Sequence, residues 1–289
     1  MTPERLARFE ANRRRLFGVA YRLLGEASAA EDVVQDAYLR WARCDTAVSP
    51  EAWLTKVVTN LCLDRLTSAR ARRERYVGTW LPEPILTGGA PDPLEVVAQR
   101  ELLSLGVLVL LERLTPPERA VFVLREAFGH SHREIADILE VTEPHARQLY
   151  HRAQRHVAEE RTRFTPSPEQ SARLLERFMA ATLAGDVAAL ERMLADDVVA
   201  WADGGGKAPA TRGPVAGREQ VVRHLLALTR YAQRIRLEPE TVNGQPALAF
   251  YLDDRLSGIT VVEFDHDRVV TIRAVANPDK LAYVAKQKI

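Results

Sequence analysis

The sequence predicts an all-α amino-terminal part with a helix-turn-helix, followed by an α+β domain, and three observations carry that prediction. Blocks of apolar residues recur at helical spacing from Leu6 to Val157, interrupted at Gly25 and by a Pro- and Gly-rich stretch over 76–93. Short helical patterns joined by short turns occupy the region from Thr115 to about Glu160. Beyond Thr165-Pro166-Ser167-Pro168, helical patterns give way to alternating segments separated by Asn-Gly and Asp-rich turns, which reads as helices followed by a curved antiparallel sheet. A chain of 289 residues is long enough for two or three domains with real cores.

Composition excludes several classes. With 46% apolar and 27% charged residues, the chain is neither fibrous nor disordered. No apolar run approaches a membrane span, and the first ten residues lack the apolar core of a signal peptide, so a cytoplasmic protein without membrane association is expected. Cys44 and Cys62 lie in helical patterns away from metal-ligand spacing, and no metal or cofactor is expected. The net charge of +1 hides two basic clusters. One is Arg65, Arg70, Arg72, Arg73 and Arg75; the other is Arg147, Arg152, Arg155, Arg161 and Arg163, interleaved with His145, His151 and His156. Two such stripes suggest two phosphate-contacting surfaces.

Along the chain, Leu16, Val19, Ala20 and Leu23 mark one helical stripe, and Val33, Val34, Ala37, Tyr38 and Trp41 mark a second beyond Gly25. Ser49-Pro50-Glu51 opens a third helix, with Trp53, Leu54, Val57, Val58, Leu61 and Leu66 as its apolar side, running into the first arginine cluster. Helical periodicity resumes over Leu94–Leu114, and Thr115-Pro116-Pro117-Glu118 starts another helix. Ser131 with Glu134 caps the middle helix of the helix-turn-helix, and Thr142 caps the last. Ala136 supplies the small residue that two steeply crossing helices need. In the last part, helices are expected over Ala172–Leu183, Asp186–Leu194 and Gly217–Tyr231, and strands over Arg234–Leu237, Leu248–Leu252, Gly258–Phe264 and Val269–Val275.

These residues carry a family resemblance. Phe17-Gly18-Val19-Ala20-Tyr21-Arg22-Leu23-Leu24-Gly25, Ala30–Trp41, Ala52-Trp53-Leu54 and Asn60–Leu66 together resemble region 2 of an extracytoplasmic-function (ECF) sigma factor, and Leu114–Val157 resembles its region 4. Trp80-Leu81-Pro82-Glu83-Pro84, Asp203-Gly204-Gly205-Gly206-Lys207 and Asn277-Pro278-Asp279-Lys280-Leu281 resemble the subgroup with a fused SnoaL-like (NTF2-like), cone-shaped carboxy-terminal domain. The domains implied are region 2 over 1–75, a linker over 76–93, region 4 over 94–163 and the SnoaL-like domain over 164–289.

The resemblance implies a transcription initiation factor, not an enzyme, whose partners are core RNA polymerase, through its clamp helices and flap, and promoter DNA. Asp32, Gln35, Asp36 and Leu39 would meet the polymerase, mixing acids with an apolar anchor on one helix. Asn60 matches the position that reads a flipped base of the minus-ten element, with Asp64 and Arg65 one turn later and Arg70, Arg72 and Arg73 suited to phosphates. Arg147, Gln148 and His151 match base-facing positions in the minus-thirty-five element, and Arg152 and Arg155 suit its phosphates. The sequence departs from the family pattern at Glu140, where Gly often ends the middle helix, and at His145, where a capping glutamate could sit.

The motifs around residues 80–84, 203–207 and 277–281 are expected to form an interdomain regulatory contact. Asp203–Lys207 lacks the spacing of a phosphate loop, with Ala208 where a hydroxyl is needed. An alternative is an NTF2-like small-molecule enzyme or ligand sensor fused to a DNA-binding module, with Asp197, Asp203, His224 and His266 as its candidate site groups. A small ligand or signal acting on the carboxy-terminal domain is compatible with either reading.

Overall fold

Gly25 ends the first helix by taking a left-handed conformation (φ 68°), its N–H bonding the Tyr21 carbonyl. That break separates α1 (Pro3–Leu24) from α2 (Ala27–Ala42), and α3 (Pro50–Arg73) packs across both. The computed structural model describes residues 2–44, 49–73, 76–88, 102–158, 167–229 and 234–288, with side chains at 68–73, 168, 228 and 229 also left aside. The helices α4 (Leu105–Leu111), α5 (Pro116–Glu126), α6 (His132–Leu139) and α7 (Glu143–Ala158) follow. Of the helix expected over 94–114, residues 94–101 lie outside the described residues, and only Leu105–Leu111 is helical beyond them. Ser104, whose hydroxyl accepts from the Val107 N–H, sets that start.

The chain divides into two units, one holding 1–75 and 91–161 and the other 76–90 and 162–289. This differs from the four-part division expected from sequence in two ways. The helical halves resembling regions 2 and 4 share one packed body, and much of the proline-rich linker belongs to the carboxy-terminal fold.

In the helical unit the two halves are joined by polar groups, of which Arg119 is buried. Arg119 of α5 is 3% exposed and donates to the Leu23 carbonyl at the end of α1 (2.8 Å) and to Glu112 (2.7 Å). It satisfies a carbonyl that the helix end leaves free, and burial lowers its pKa to about 9. Arg15 and Arg22 of α1 lie over the Phe128 ring, and Gly18 keeps that surface low: a Cβ there would stand 3.6 Å from Phe128 and 3.0 Å from the Arg22 guanidinium. Lys56 of α3 pairs with Glu140 beyond α6 (2.9 Å). His130 completes the joint, its Nε2 accepting from the Arg15 guanidinium (2.9 Å) while Nδ1 lies 4.0 Å from Glu134.

The second unit starts with α8 (Pro168–Ala184), capped by Ser167 and Gln170, and α9 (Val187–Met193), capped by Asp186. It continues through β1 (Leu194–Asp203), β2 (Val215–Ala216), α10 (Arg218–Thr229), β3 (Ile235–Val242), β4 (Gln245–Leu252), β5 (Arg255–Asp265), β6 (Arg268–Val275) and α11 (Pro278–Gln287). The sheet order is β2-β1-β6-β5-β4-β3. It is not wholly antiparallel, because β1 and β6 run parallel. The chain between them contains α10 and four strands, enough to return β6 in the direction of β1. Sequence reading missed β1 because Ala195-Asp196-Asp197 interrupts its alternation, and the pairing slips between Leu194 and Val199 at that place.

Helices α8, α9 and α10 cover one face of the sheet, where Val198, Ala200, Leu248, Val262 and Ile272 meet Leu175, Phe178, Leu190, Val221 and Leu225. The alternate residues Ala247, Ala249, Ile259, Val261 and Val275 are 0% exposed on the other face, with α11 packed on β5. Segment 81–85 is buried throughout. Ile85 exchanges hydrogen bonds with Asn243, its N–H to Oδ1 (3.1 Å) and its carbonyl from the Asn243 N–H (3.0 Å), and the Thr87 N–H bonds the Thr241 carbonyl (2.8 Å). Pro82 and Pro84 lie between these bonds and that of the Leu81 N–H to Asp203, at positions that have no N–H to satisfy.

The His130 joint titrates. Arg15 can only donate, so Nε2 must be unprotonated, and burial followed by the Arg15 charge holds the imidazole below its ordinary 6.5 against the opposing pull of Glu134 and Glu51. The folded chain binds fewer protons than the unfolded chain in that window. The joint's contribution is then complete above about pH 6.5 and is lost as the pH falls through the folded value. Denaturant unfolding at pH 7.5 and 5.5 should show a smaller acid loss for His130→Gln than for the wild type; equal losses would place the titration elsewhere.

Candidate functional site

Three surfaces carry the candidate functional side chains, two on the helical unit and one within the carboxy-terminal unit. The first is the helix-turn-helix. Ser131 and Glu134 form a complete capping box: the Ser131 hydroxyl accepts from the Glu134 N–H (3.2 Å), and the Glu134 carboxylate accepts from the Ser131 N–H (2.7 Å) and hydroxyl (2.7 Å). Those bonds hold the Glu134 carboxyl below its usual pKa. The family departure at Glu140 is absorbed by the residue itself, which takes the left-handed conformation (φ 56°) that glycine usually supplies. His145 occupies the third position of α7, where its N–H is 3.4 Å from the Thr142 hydroxyl.

On α7, Ala146, Leu149, Ala153 and Val157 are at most 7% exposed and form the packed side. Tyr150 fixes the rotation of the helix by donating to Glu126 of α5 (2.5 Å) and accepting from Gln154 (2.7 Å). Burial and the Glu126 carboxylate raise its pKa to about 12, so the phenol stays a donor. The outer side presents Glu143, Pro144, Arg147, Gln148, His151, Arg152 and Arg155 around one shallow depression. All five residues expected to contact DNA there share this open face. Glu143 pairs with Arg147 one turn along the helix (2.5 Å).

The second surface is on α2 and α3. Ala30, Val33, Val34, Ala37 and Trp41 face the core, which leaves Asp32, Gln35, Asp36 and Leu39 together on the outside, with Leu39 50% exposed. Asn60 is half-buried on α3, Asp64 one turn later is exposed, and Trp53 packs against Trp41 with ring centres 5.7 Å apart. Arg65, expected among the DNA-contacting residues, is turned away from them: its guanidinium donates to the Ala29 carbonyl (3.0 Å) and to Asp36 (2.9 Å). The side chains of Arg70, Arg72 and Arg73 lie outside the described residues. Cys62 is buried, with its thiol pKa pushed up by that burial, and Cys44 is free.

The third surface is internal to the carboxy-terminal unit. Asp203, at the end of β1, is 0% exposed. It accepts from the Tyr76 hydroxyl (2.6 Å), the Leu81 N–H (2.9 Å), the Gly205 N–H (3.0 Å) and the Lys280 ammonium (2.6 Å). Lys280 also donates to the Leu81 carbonyl and lies over the Tyr76 and Trp80 rings, 4.8 and 4.4 Å from their centres. Asn277 donates to the Tyr76 hydroxyl (2.8 Å), and burial together with the Asp203 carboxylate pushes the Tyr76 phenol well above its usual pKa. Gly205 is required because a Cβ there would stand 2.2 Å from the Asn277 amide nitrogen.

The expected motif residues do converge, with Pro82, Glu83, Pro84 and Leu281 buried beside them. The ends of the glycine turn have different partners: Asp203 belongs to Lys280, whereas Lys207 pairs with Asp279 on the surface (2.5 Å). Sequence reading missed Tyr76, which stands just outside the quoted motif and carries no spacing signal. The four groups considered for catalysis do not share an environment. Asp203 is engaged with the linker, Asp197 and His266 are exposed, and His224 lies half-buried on α10 with burial lowering its pKa.

A basic recognition helix and a second polar helical surface on one helical unit, with a separate α+β unit attached, define a multidomain DNA-binding transcription factor. Residues 8–72 match the family model described as Sigma-70 region 2, and residues 104–157 match Sigma-70, region 4. The chain is 40% identical to the ECF RNA polymerase sigma factor SigJ of Mycobacterium tuberculosis over 291 residues, covering 95% of this chain and 92% of that protein. It is 31% identical to the probable ECF RNA polymerase sigma factor SigI of the same species, covering 95% and 94%. The crystal structure of M. tuberculosis SigJ superposes with a TM-score of 0.77 at 36% identity, over 96% of this chain and 98% of that one. The chain belongs to the ECF RNA polymerase sigma factors, which work with core RNA polymerase and promoter DNA. Among the described residues, no helix is long and apolar enough to cross a membrane.

Removing one partner of the Asp203–Lys280 pair leaves a buried charge. Lys280→Met should lower the stability of the carboxy-terminal unit by about 3–5 kcal/mol, and Asp203→Asn combined with Lys280→Met should recover part of that loss. Urea unfolding of the full chain followed by tryptophan fluorescence measures both, and a loss under 1 kcal/mol for Lys280→Met, about the worth of a surface pair, would show that the pair is solvated.

Proposed function

We propose that this sigma factor reads a bipartite promoter with α7 and α3, docks on the polymerase with α2, and is regulated by its own carboxy-terminal unit through the linker. The observation that carries the reading is the open face of α7, where Arg147, Gln148 and His151 stand beside Arg152 and Arg155 on a helix whose other side is packed. In the major groove, Arg147 can address guanine and Gln148 adenine, with Arg152 and Arg155 on the flanking phosphates. On α3, Asn60 is assigned to a flipped minus-ten base beside Asp64, and Arg70, Arg72 and Arg73 to the phosphates that follow. On α2, Asp32, Gln35, Asp36 and Leu39 are assigned to the polymerase clamp helices, and the helix-turn-helix unit to its flap.

Regulation follows from where the linker is held. A free proline-interrupted chain samples many end-to-end distances, whereas residues 80–87 bonded to Asp203, Lys280 and Asn243 have one. Regions 2 and 4 must reach a spacing set by the promoter. A folded unit that grips the chain between them biases that spacing, and a partner or signal shifts the balance by its differential affinity for the gripped and released states.

Run-off transcription with core polymerase, together with promoter-binding titrations, tests the assignments. Arg147→Ala should cost about 1–3 kcal/mol at one promoter position and relax preference there, while Arg155→Ala should weaken all sequences alike and reduce the salt slope by about one. Uniform losses from both variants would remove α7 from base reading. Asn60→Ala should leave polymerase binding intact and slow opening of duplex promoters, with partial rescue on a template premelted at minus ten. Failure of rescue alongside lost polymerase binding would make Asn60 structural.

A further inference from the structure

The guanidinium of Arg65 lies along α2. One nitrogen donates to the Ala29 carbonyl (3.0 Å) and stands 3.8 Å from Asp32, and the other donates to Asp36 (2.9 Å). Ala29, Asp32 and Asp36 are spaced by three and four residues, so they form a single stripe, and Arg65 spans it from the first turn of α2 toward its middle. Gln35 and Leu39 lie on the outer side of that stripe. The two acids differ in exposure, 44% for Asp36 against 69% for Asp32. The arginine side chain itself is 32% exposed. A planar fork can hold a carbonyl and a carboxylate at once, which a lysine ammonium on a single flexible stem does not reproduce.

We infer that Arg65 is a positioning residue of the polymerase-docking surface, tying Asp36 to α3 by a hydrogen bond and leaving Asp32, more exposed and held only by the longer 3.8 Å ion pair, as the acid that meets a basic site on the partner. The inference rests on the reading of α2 as the docking face and reassigns Arg65 from DNA to that face. Exposed ion pairs contribute little to folding, so the effect of Arg65 is on the arrangement of side chains presented to the partner. With Arg65 in place, the stripe offers one hydrogen-bonded carboxylate and one that is held at longer range and more exposed. Without it, both acids are free to turn outward and repel each other across a helical turn.

The test measures the affinity of the full chain for core RNA polymerase, the salt dependence of holoenzyme binding to promoter DNA, and thermal unfolding. Arg65→Ala should weaken core binding roughly three- to tenfold, and adding Asp36→Ala to it should cause no further loss, since coupled side chains are not additive. Arg65→Lys should resemble Arg65→Ala, because charge alone does not rebuild the fork. The salt slope on DNA should match that of the wild type. The inference is overturned if Arg65→Lys binds core like the wild type, or if core binding is unchanged while the DNA salt slope falls by about one, the mark of a lost phosphate contact. A loss of core binding that tracks a matching fall in thermal stability, with no coupling to Asp36, also overturns it. Asp32→Ala and Leu39→Ala are measured alongside: wild-type core affinity in both removes α2 from docking and takes the inference with it, whereas weakened binding in both with an unaffected Arg65→Ala sinks the inference alone.

Discussion

A carboxylate with no access to water has to find its partners inside the protein, and Asp203 finds four of them, three from segments far away in sequence. Tyr76 and Leu81 come from the linker, Gly205 from the turn after β1, and Lys280 from α11. Burying an ion pair is costly, and the cost is offset only where hydrogen bonds satisfy every remaining lone pair and proton. The linker therefore cannot leave this unit without exposing the pair or stranding it. That constraint makes residues 76–88 part of a folded domain and not a tether, and it explains the convergence of three motifs on one place.

The helical unit uses a similar device with different chemistry. Arg119 is buried against the last carbonyls of α1, and His130 accepts from Arg15, so the half with α1–α3 and the half with α5–α7 are joined by groups that tolerate little rearrangement. A sigma factor must present two promoter-reading surfaces at a separation set by DNA. Each of these joining groups would lose its partner if the two halves shifted, and a buried polar group left unpaired is costly. The recognition helix is insulated from this, because Tyr150 and Glu126 fix its rotation within its own half.

In the carboxy-terminal unit the helix-side interior is packed with Phe178, Leu190, Val198, Leu225, Val262 and Phe264. Asp203 points to the other face of the sheet, toward the linker. The register makes this so: Asp203 pairs with Val275, while Ala200, opposite Ile272, faces the helices. A shift of one residue would exchange the two faces.

The sequence by itself determined several helix ends, the helix-turn-helix, the polar face of α7 and the family. Those features depend on groups three or four residues apart, such as Ser131 with Glu134 or Gly25 with Tyr21, and residue order encodes such bonds directly. The tertiary structure alone decided that Asp203 pairs with Lys280, 77 residues away, and not with the nearer Lys207. It also turned Arg65 from a basic cluster onto α2, made β1 a parallel neighbour of β6, and drew the linker into the second unit. Each of these rests on which surfaces meet after packing, and a charge or an apolar side chain carries no address for a partner that only packing brings near.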